Sequence, residues 1–447
     1  MPEENHRVAP RDRCPALGNA YLMAMQMPIS QPVPCQDAPP VATVPGSPAY
    51  YPEVSAITDW LIEQGLMRAS FETIVKGFCE RLAAIGVPLW RGFAIVQTLH
   101  PTITGVGCVW RPEEGISTEA FVYRATPSEG YLRSPFRRML DEGMQSLRLH
   151  LEVAGQVEFP LIEGFRQQGA TDYLAQIVGF GVDGISDDKT GVATSWTTAR
   201  PGGFSERDLT VLAHLAPRLA LALQARLGHD TAINLLNTYV GPEAGRRILD
   251  GEIRRGSLQV IRAVIFYGDL RGFTAVADRY EREVLVETLN AHFDCLVPVI
   301  AAHRGQVLKF LGDGLLATFP LEDHAAAPAC DRALDAAAEA LRCVRELNAE
   351  RGAAGRPVMD LDLALHLGDV FYGNVGSADR LDFTVIGPAV NEASRIEALC
   401  SQHDRNLLIS ETFARAATES ADRLVSIGRY ALRGVRGAQT IYTLDET

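Results

Sequence analysis

Two aspartates stand where the chain can bind a metal ion. Asp269 follows the apolar run "AVIFYG", and Asp313 lies between two glycines in "KFLGDGLLATF". An acid at the end of a buried strand faces the mouth of a sheet, and a hairpin tip can bring a second acid beside it. Mg²⁺ prefers oxygen ligands and commonly takes one or two carboxylates together with substrate phosphates. Because Gly-Asp-Gly is also an ordinary hairpin composition, the pair, and not either acid alone, indicates a metal site.

The residues around these acids suit an anionic substrate. Gly272, Phe273 and Thr274 can open a helix whose free N–H groups bind a phosphate. Lys309 interrupts the apolar run four residues before Asp313. Taken alone, Lys309 is equally typical of a solvated lysine at a strand edge, so its role depends on its neighbours.

Four motifs occur in order along the last part of the chain: "IFYGDLRGFT", "KFLGDGLLATF", "ALHLGDVFYGNVG" and "DFTVIGPAVNEASRIEAL". Together they resemble the catalytic domain of class III nucleotidyl cyclases, the family of adenylate and guanylate cyclases. The resemblance covers residues 257–445 and does not include the N-terminal half. It implies a lyase that converts a nucleoside triphosphate to a 3′,5′-cyclic nucleotide and pyrophosphate. It also implies two Mg²⁺ or Mn²⁺ ions in each active site.

The resemblance implies roles for the first group of residues. Asp269 and Asp313 match the two metal-binding aspartates of the family, and the carbonyl of Leu270 matches a backbone metal ligand. The N–H groups that meet the phosphates match Gly272, Phe273 and Thr274.

The same resemblance assigns base recognition to Lys309 and Thr384. Adenine N1 is an acceptor and its amino group is a donor, whereas lysine only donates and threonine can accept. The pair therefore fits adenine, and we expect an adenylate cyclase that acts on ATP. Guanine carries an N–H at N1, which would favour Glu at position 309. A guanylate cyclase is the alternative.

The last motif and the C-terminal loop supply the remaining implied residues. Asn391 matches the asparagine that orients the ribose, and Arg395, on the same helix face, matches the arginine that stabilises the transition state. Arg433 in "LRGVRG" matches a basic residue that holds the β- and γ-phosphates, where Lys is usual. That match needs a one-residue gap, so Arg436 is an alternative. Pro388 stands where many bacterial members have an acid. No general base is assigned.

In the family, each active site forms across a dimer. One chain supplies the metal-binding aspartates, and the other supplies the Lys, Thr, Asn and Arg. This chain contains both sets, which implies a head-to-tail homodimer with two equivalent sites. A non-catalytic cyclase-like module for ligand binding or dimerisation is the alternative from another class. The joint presence of Asp269, Asp313, Asn391 and Arg395 argues against it.

The elements that must position these residues form an α+β pattern. From residue 257 to 447 strands alternate with helices in a β-α-β-β-α-β order, the ferredoxin-like arrangement. Within it, "GQVLKFLGDGLLATF" predicts a hairpin. Residues 53–228 predict a helix, a mixed sheet and a closing helix, which opens at "SERD" with a Ser cap and Asp208 three residues on. This second α+β module resembles a GAF domain, which implies a sensor for a small-molecule ligand.

Two further segments flank the N-terminal module. Residues 229–256 predict a helical connector, either a dimer contact that couples the modules or an ordinary packed linker. Residues 1–52 hold 11 of the 25 prolines with little periodicity, which predicts a disordered arm.

The composition of the chain indicates which classes of partner it can have and in which cell compartment we expect it. The net charge of −13 gives no indication of a nucleic-acid partner, and no stretch predicts a membrane span. The eight cysteines include no CxxC pair, so we expect reduced thiols and a cytoplasmic protein.

Overall fold

The computed structural model describes residues 52–123, 126, 128–153, 158–180, 191–435 and 437–445. The chain divides into two compact units at Leu235 and Leu236, and each is described by itself. Residues 1–51 of the predicted arm and Arg436 lie outside the described residues; Pro52 begins the first helix.

The N-terminal unit is built on an antiparallel sheet of six strands in the order β3-β2-β1-β6-β5-β4. The strands are β1 Arg91–Gln97, β2 Ile103–Arg111, β3 Gly115–Val122, β4 Ser146–His150, β5 Asp172–Gly179 and β6 Gly191–Thr198. The helices are α1 Pro52–Leu66, α2 Phe71–Ala84, α3 Glu129–Leu132, α4 Pro135–Asp141, α5 Pro160–Gln167 and α6 Glu206–Val240. The predicted pairing of "FAIVQTL" with "TGVGCVW" is confirmed by β1 and β2. Strands β5 and β6 confirm the predicted hairpin, and its turn at 181–190 lies outside the described residues.

Both faces of this sheet are buried at its central strands β1 and β6. On β1, Ala94 and Val96 contribute to a cluster with α1, α2 and α6, whereas Phe93 and Ile95 contribute to a cluster with α3, α4 and α5. Successive side chains of a strand point to opposite faces. Two covered faces therefore explain why β1 is an almost continuous apolar run, without the alternation typical of a half-solvated sheet.

Helix α6 begins with the predicted cap. The backbone N–H and the hydroxyl of Ser205 lie 2.9 and 2.7 Å from a carboxylate oxygen of Asp208, and Arg200 donates to the same oxygen at 2.6 Å. The helix then continues to Val240, so its last turns belong to the C-terminal unit.

The C-terminal unit is an eight-stranded sheet with helices. Its strands are β7 Leu258–Arg271, β8 Gln306–Leu311, β9 Gly314–Pro320, β10 Asp360–Gly376, β11 Leu381–Ile386, β12 Leu407–Ile409, β13 Leu424–Ala431 and β14 Ala438–Leu444. Its helices, after the end of α6, are α7 Pro242–Leu249, α8 Phe273–Arg279, α9 Arg282–Ala302, α10 Ala326–Ala353, α11 Pro388–Glu397, α12 Cys400–His403 and α13 Glu411–Ala416. The strand order is β13-β14-β12-β10-β7-β9-β8, with β11 paired to β10. The predicted β-α-β-β-α-β succession is confirmed by β7 through β10.

The hairpin of β8 and β9 is confirmed in detail. Leu311 pairs with Gly314, which leaves Gly312 and Asp313 as a two-residue turn. Gly312 has φ of 75°, a conformation that glycine adopts without steric cost. The turn therefore fixes where the Asp313 backbone stands.

One expectation about the cysteines is wrong. The structure joins Cys295 of α9 to Cys343 of α10 in a disulfide, with Cα atoms 6.2 Å apart, instead of leaving all thiols reduced. The two helices pack against each other, and this packing brings the cysteines into bonding range. Among the described cysteines, the free thiols are all buried: Cys79, Cys108, Cys330 and Cys400.

One described helix, α9, is long and apolar enough to cross a membrane by length and composition alone. Its residues Leu296, Val299 and Ile300 are buried in the core of the C-terminal unit, together with β7, β9 and α10.

Candidate active site

The turn of the β8–β9 hairpin lies directly against Asp269. Gly268 of β7 pairs with Leu315, so the end of β7 reaches the turn. A Cβ atom placed on Gly314 would stand 2.9 Å from Oδ1 of Asp269 and 2.7 Å from the Gly268 carbonyl oxygen. Only glycine allows this approach. The structure thus brings the two predicted metal-binding acids, Asp269 and Asp313, to one place.

The acids at this place repel one another. Burial raises the pKa of the Asp269 carboxyl, and the charges of Asp313 and then Asp362 raise it further. Burial, followed by the charge of Asp269, raises the pKa of Glu397 to about 7. Arg271 donates to Asp362 at 2.9 Å and so partly neutralises that acid. A bound divalent cation would reduce the electrostatic repulsion that remains among these carboxylates.

The oxygen ligands available here suit a hard cation that binds water or substrate oxygens at the same time. Within the described ranges, no group of three or more His, Cys, Asp or Glu side chains is arranged to hold a metal ion. Two carboxylates and the carbonyl of Leu270 would therefore need substrate phosphates or water to complete a shell, which is typical of Mg²⁺. Sequence reasoning missed Glu397. Its spacing gave no signal, because residues two apart on a helix, such as Arg395 and Glu397, do not face each other.

The predicted phosphate-binding residues follow immediately. Gly272 has φ of 95° and stands before α8, whose first turn contains Phe273 and Thr274. Phe273 packs against the core of the unit, and Thr274 is exposed. The first N–H groups of a helix have no partner within it, so this turn presents donors next to Asp269.

Lys309 and Thr384 line one cavity of about 820 Å³. Thr384 lies on β11 and is only 8% exposed, while the Lys309 side chain on β8 is 43% exposed. Further walls come from residues 237–243 at the end of α6 and the start of α7, and from residues 305–308. The structure therefore brings the two predicted base-reading residues together.

The cavity is lined by Lys309 and not by Asp313, although both belong to one hairpin. Sequence reasoning also missed Asp382, which lies in the cavity wall with its Oδ2 atom 2.5 Å from Nζ of Lys309. This hydrogen bond lowers the pKa of the Asp382 carboxyl. The available signal was spacing, since Asp382 precedes Thr384 by two residues on one strand and thus shares its face.

Helix α11 carries Asn391 and Arg395 one turn apart. Asn391 is exposed and Arg395 is half-buried. A Cβ atom on Gly434 would stand 3.4 Å from Nη1 of Arg395, which places this guanidinium beside the β13–β14 loop. Arg433 in that loop is exposed, and its predicted alternative, Arg436, is not described.

Comparisons with known proteins match the C-terminal part of the chain. Residues 259–446 match the family model of the adenylate and guanylate cyclase catalytic domain. An adenylate cyclase of Anabaena cylindrica is 35% identical over 183 residues, which are 40% of this chain and 35% of that protein. The chain thus spans about a third of the length of the first curated relatives it matches.

Two solved structures are each similar to less than half of the chain. The adenylyl cyclase CyaB of P. aeruginosa is 25% identical, covers 43% of this chain and 97% of that one, and has a TM-score of 0.39. The guanylyl cyclase Cya2 is 28% identical, covers 42% and 95%, and has a TM-score of 0.36. The family match therefore supports an adenylate and guanylate cyclase catalytic domain at residues 259–446.

Proposed function

We propose that this protein is an adenylate cyclase that converts ATP to 3′,5′-cyclic AMP and pyrophosphate. The observation that carries the proposal is the placement of Lys309 and Thr384 in the wall of one cavity. A lysine donor and a threonine acceptor complement N1 and the amino group of adenine. The adenylate cyclase of Anabaena cylindrica, 35% identical over 183 residues, supports the choice.

Asp269, Asp313 and the carbonyl of Leu270 would hold two Mg²⁺ or Mn²⁺ ions. When bound, such ions lower the pKa of the ribose 3′-OH and neutralise charge on the phosphates. The chain's own groups do the remaining work. The first N–H groups of α8, at Gly272, Phe273 and Thr274, bind the phosphates, and Arg433 holds the terminal ones. Arg436 is the alternative for that last role.

Asn391 and Arg395 act on the reacting centre. Asn391 orients the ribose so that its 3′ oxygen stands in line with the α-phosphorus. Arg395 donates to the phosphoryl oxygens, on which negative charge increases as the 3′ oxygen attacks and pyrophosphate leaves. A cation fixed in a water-poor site stabilises that charge more than it stabilises the ground state.

We infer a head-to-tail homodimer in which each site takes the acids from one chain and the cavity residues and α11 from the other. An exposed apolar stripe on three neighbouring strands supports this inference. Val260 of β7 pairs with Phe371 of β10, which in turn pairs with Ile386 of β11. These side chains are 66%, 41% and 39% exposed. Contiguous apolar surface of this kind marks protein contacts.

A guanylate cyclase is the second candidate, because the Asp382 carboxylate lies in the same cavity and could accept from guanine N1–H. The deciding experiment incubates the purified chain with Mn²⁺ and either ATP or GTP and quantifies each cyclic product. We expect cyclic AMP formation to exceed cyclic GMP formation. A preference for GTP would overturn the substrate, and absence of both products would overturn the activity.

We also propose that the N-terminal unit is a GAF-like sensor that regulates the cyclase through the connector. Residues 237–243 of the connector line the base cavity, so movement of this segment would reach the substrate. Deletion of residues 1–228, which keeps that wall, is expected to change cyclase activity or its response to small molecules. Identical kinetics of the two proteins in every condition would contradict the proposal.

A further inference from the structure

Helix α11 packs closely on β10. Ala389, Ala393 and Ile396 form its buried face. A Cβ atom placed on Gly368 of β10 would stand 2.6 Å from Cβ of Ala389, so a larger residue there would force the helix away from the strand. These apolar contacts hold the helix on the sheet, but hydrophobic attraction is non-directional. They do not by themselves fix how the helix is turned or where it stands along the strand.

Glu392 supplies a directional contact between this helix and the sheet. Nε2 of Gln439 in β14 donates to Oε1 of the Glu392 carboxylate at 2.8 Å. Nδ1 of the buried His366 in β10 lies 3.6 Å from the same oxygen. The Glu392 side chain is itself only 18% exposed. A hydrogen bond to an ionised carboxylate is stronger than one between neutral groups, so this bond restricts α11 in a way that the apolar contacts do not.

The strand that Glu392 contacts leads back to the loop beside Arg395. Gln439 pairs with Tyr430 of β13 directly beyond the loop that joins β13 to β14. In that loop, a Cβ atom on Gly434 would stand 3.4 Å from Nη1 of Arg395. Glu392 and Arg395 are three residues apart and are therefore neighbours on the helix surface. The bond of Glu392 to Gln439 thus joins the helix turn of Arg395 to the base of the loop that its guanidinium lies against.

We propose that Glu392 is a positioning residue for Arg395, which fixes α11 against β14 and so holds the Arg395 guanidinium at its place beside the β13–β14 loop. The proposal rests on the proposed function of Arg395 in the transition state. Glu392 acts through Arg395 and touches neither the nucleotide nor the metal. Because a misplacement of about 1 Å can lower an enzymatic rate about a hundredfold, loss of this bond affects the rate of the reaction more than it affects nucleotide binding.

The test compares full-length wild type with Glu392→Ala, Glu392→Gln, Gln439→Ala and the Glu392→Ala/Gln439→Ala double variant. Glu411→Ala is the matched control, because the Glu411 carboxylate accepts from the N–H of Thr440 at 3.2 Å and so joins the same strand to a different helix, α13.

For each protein, kcat and KM are measured with ATP and Mn²⁺, together with the Mn²⁺ concentration for half-maximal activity. Binding is measured by equilibrium dialysis with 3′-deoxy-ATP, which lacks the attacking hydroxyl. Thermal unfolding followed by circular dichroism identifies a temperature at which every variant is folded, and the kinetics are measured there.

We expect Glu392→Ala to lower kcat about tenfold or more and to change KM and the dissociation constant less than about twofold, as for an interaction made only in the transition state. The Mn²⁺ requirement stays as in wild type. Glu392→Gln keeps an acceptor oxygen and is expected to recover most of the lost kcat, while Glu411→Ala behaves as wild type. Gln439→Ala and the double variant are expected to match Glu392→Ala, since all three lack the same bond.

Unchanged kcat in Glu392→Ala would overturn the proposal, and so would an equal loss in Glu411→Ala, additive losses in the double variant, or a raised KM with kcat kept. The wild type separates this failure from that of the proposed function. A wild type that forms cyclic AMP while Glu392→Ala is unimpaired overturns only the role of Glu392. A wild type that forms neither cyclic AMP nor cyclic GMP overturns both proposals. If GTP is the substrate, the same losses are expected with GTP, because Arg395 acts on the phosphates and not on the base.

Discussion

Asp313 is the residue on which the proposed chemistry depends most directly. Its turn lies against Asp269, and its charge raises the pKa of that acid. We expect Asp313→Ala to lower kcat for cyclic AMP formation by about two orders of magnitude or more, because a metal ligand is removed. The measurement is product formation at saturating Mn²⁺ and ATP. Asp335→Ala, which removes an acid of α10 outside the active site, is the control, and undiminished turnover of Asp313→Ala would refute the metal assignment.

We expect a change at Lys309 to alter base recognition and to leave metal binding unchanged. Lys309→Glu replaces the donor with an acceptor and sets a second carboxylate beside Asp382. We predict that kcat/KM for ATP falls at least about tenfold, in line with a lost charged hydrogen bond. The Mn²⁺ concentration for half-maximal activity stays as in wild type. If the Mn²⁺ requirement rose while the preference for ATP over GTP was kept, Lys309 and Asp313 would not serve separate functions.

At the scale of elements, the start of α6 offers a test of stability. Burial opposes the charge of Asp208, but hydrogen bonds from Ser205 and Arg200 lower the pKa of its carboxyl below the usual value. A lowered pKa in the folded state stabilises the protein above the unfolded pKa, about 3.9. That contribution is lost as pH falls through the folded value. Asp208→Asn is expected to cost about 1–2 kcal/mol at pH 7 and less near pH 3, below the unfolded pKa.

Urea unfolding followed by tryptophan fluorescence measures this cost. All four tryptophans lie in the N-terminal unit, so their emission reports that unit alone: Trp60, Trp90, Trp110 and Trp196. Glu206→Gln, two residues earlier at an exposed position of the same first turn, is the control. An equal loss of stability for Asp208→Asn at pH 7 and pH 3 would show that the ionised carboxylate is not what caps the helix.

Local patterns in the sequence predicted local structure well. The "GDG" turn and the Ser205–Asp208 cap each depend on a few adjacent residues, and both were confirmed. The contact of Lys309 with Asp382 spans 73 residues and the Cys295–Cys343 bond spans 48. Such contacts depend on which strands and helices become neighbours, and periodicity within one element carries no information about that. Asp382 and the disulfide were missed for this reason.

At the scale of the whole molecule, the two sets of site residues make the dimer testable by complementation. Asp313→Ala removes one of the proposed metal-binding acids, and Arg395→Ala removes the proposed transition-state arginine of α11. Each variant is therefore expected to be inactive alone. When the two are co-expressed, a mixed head-to-tail dimer contains one site with both defects and one site with none. Each mixed dimer therefore has about half of the activity of a wild-type dimer, and random assembly, in which about half of all dimers are mixed, restores about a quarter.

The control for complementation pairs Arg395→Ala with Asn391→Ala. Both changes lie on α11, so each site of a mixed dimer inherits one defect, and we expect no recovery. The assay is cyclic AMP formation by doubly tagged dimers purified through both tags. Equal recovery in the two pairs would mean that activity returns by some route other than sharing of residues. No recovery in either pair would place a complete site within one chain. Recovery only in the first pair requires that the acids and α11 of one site come from different chains.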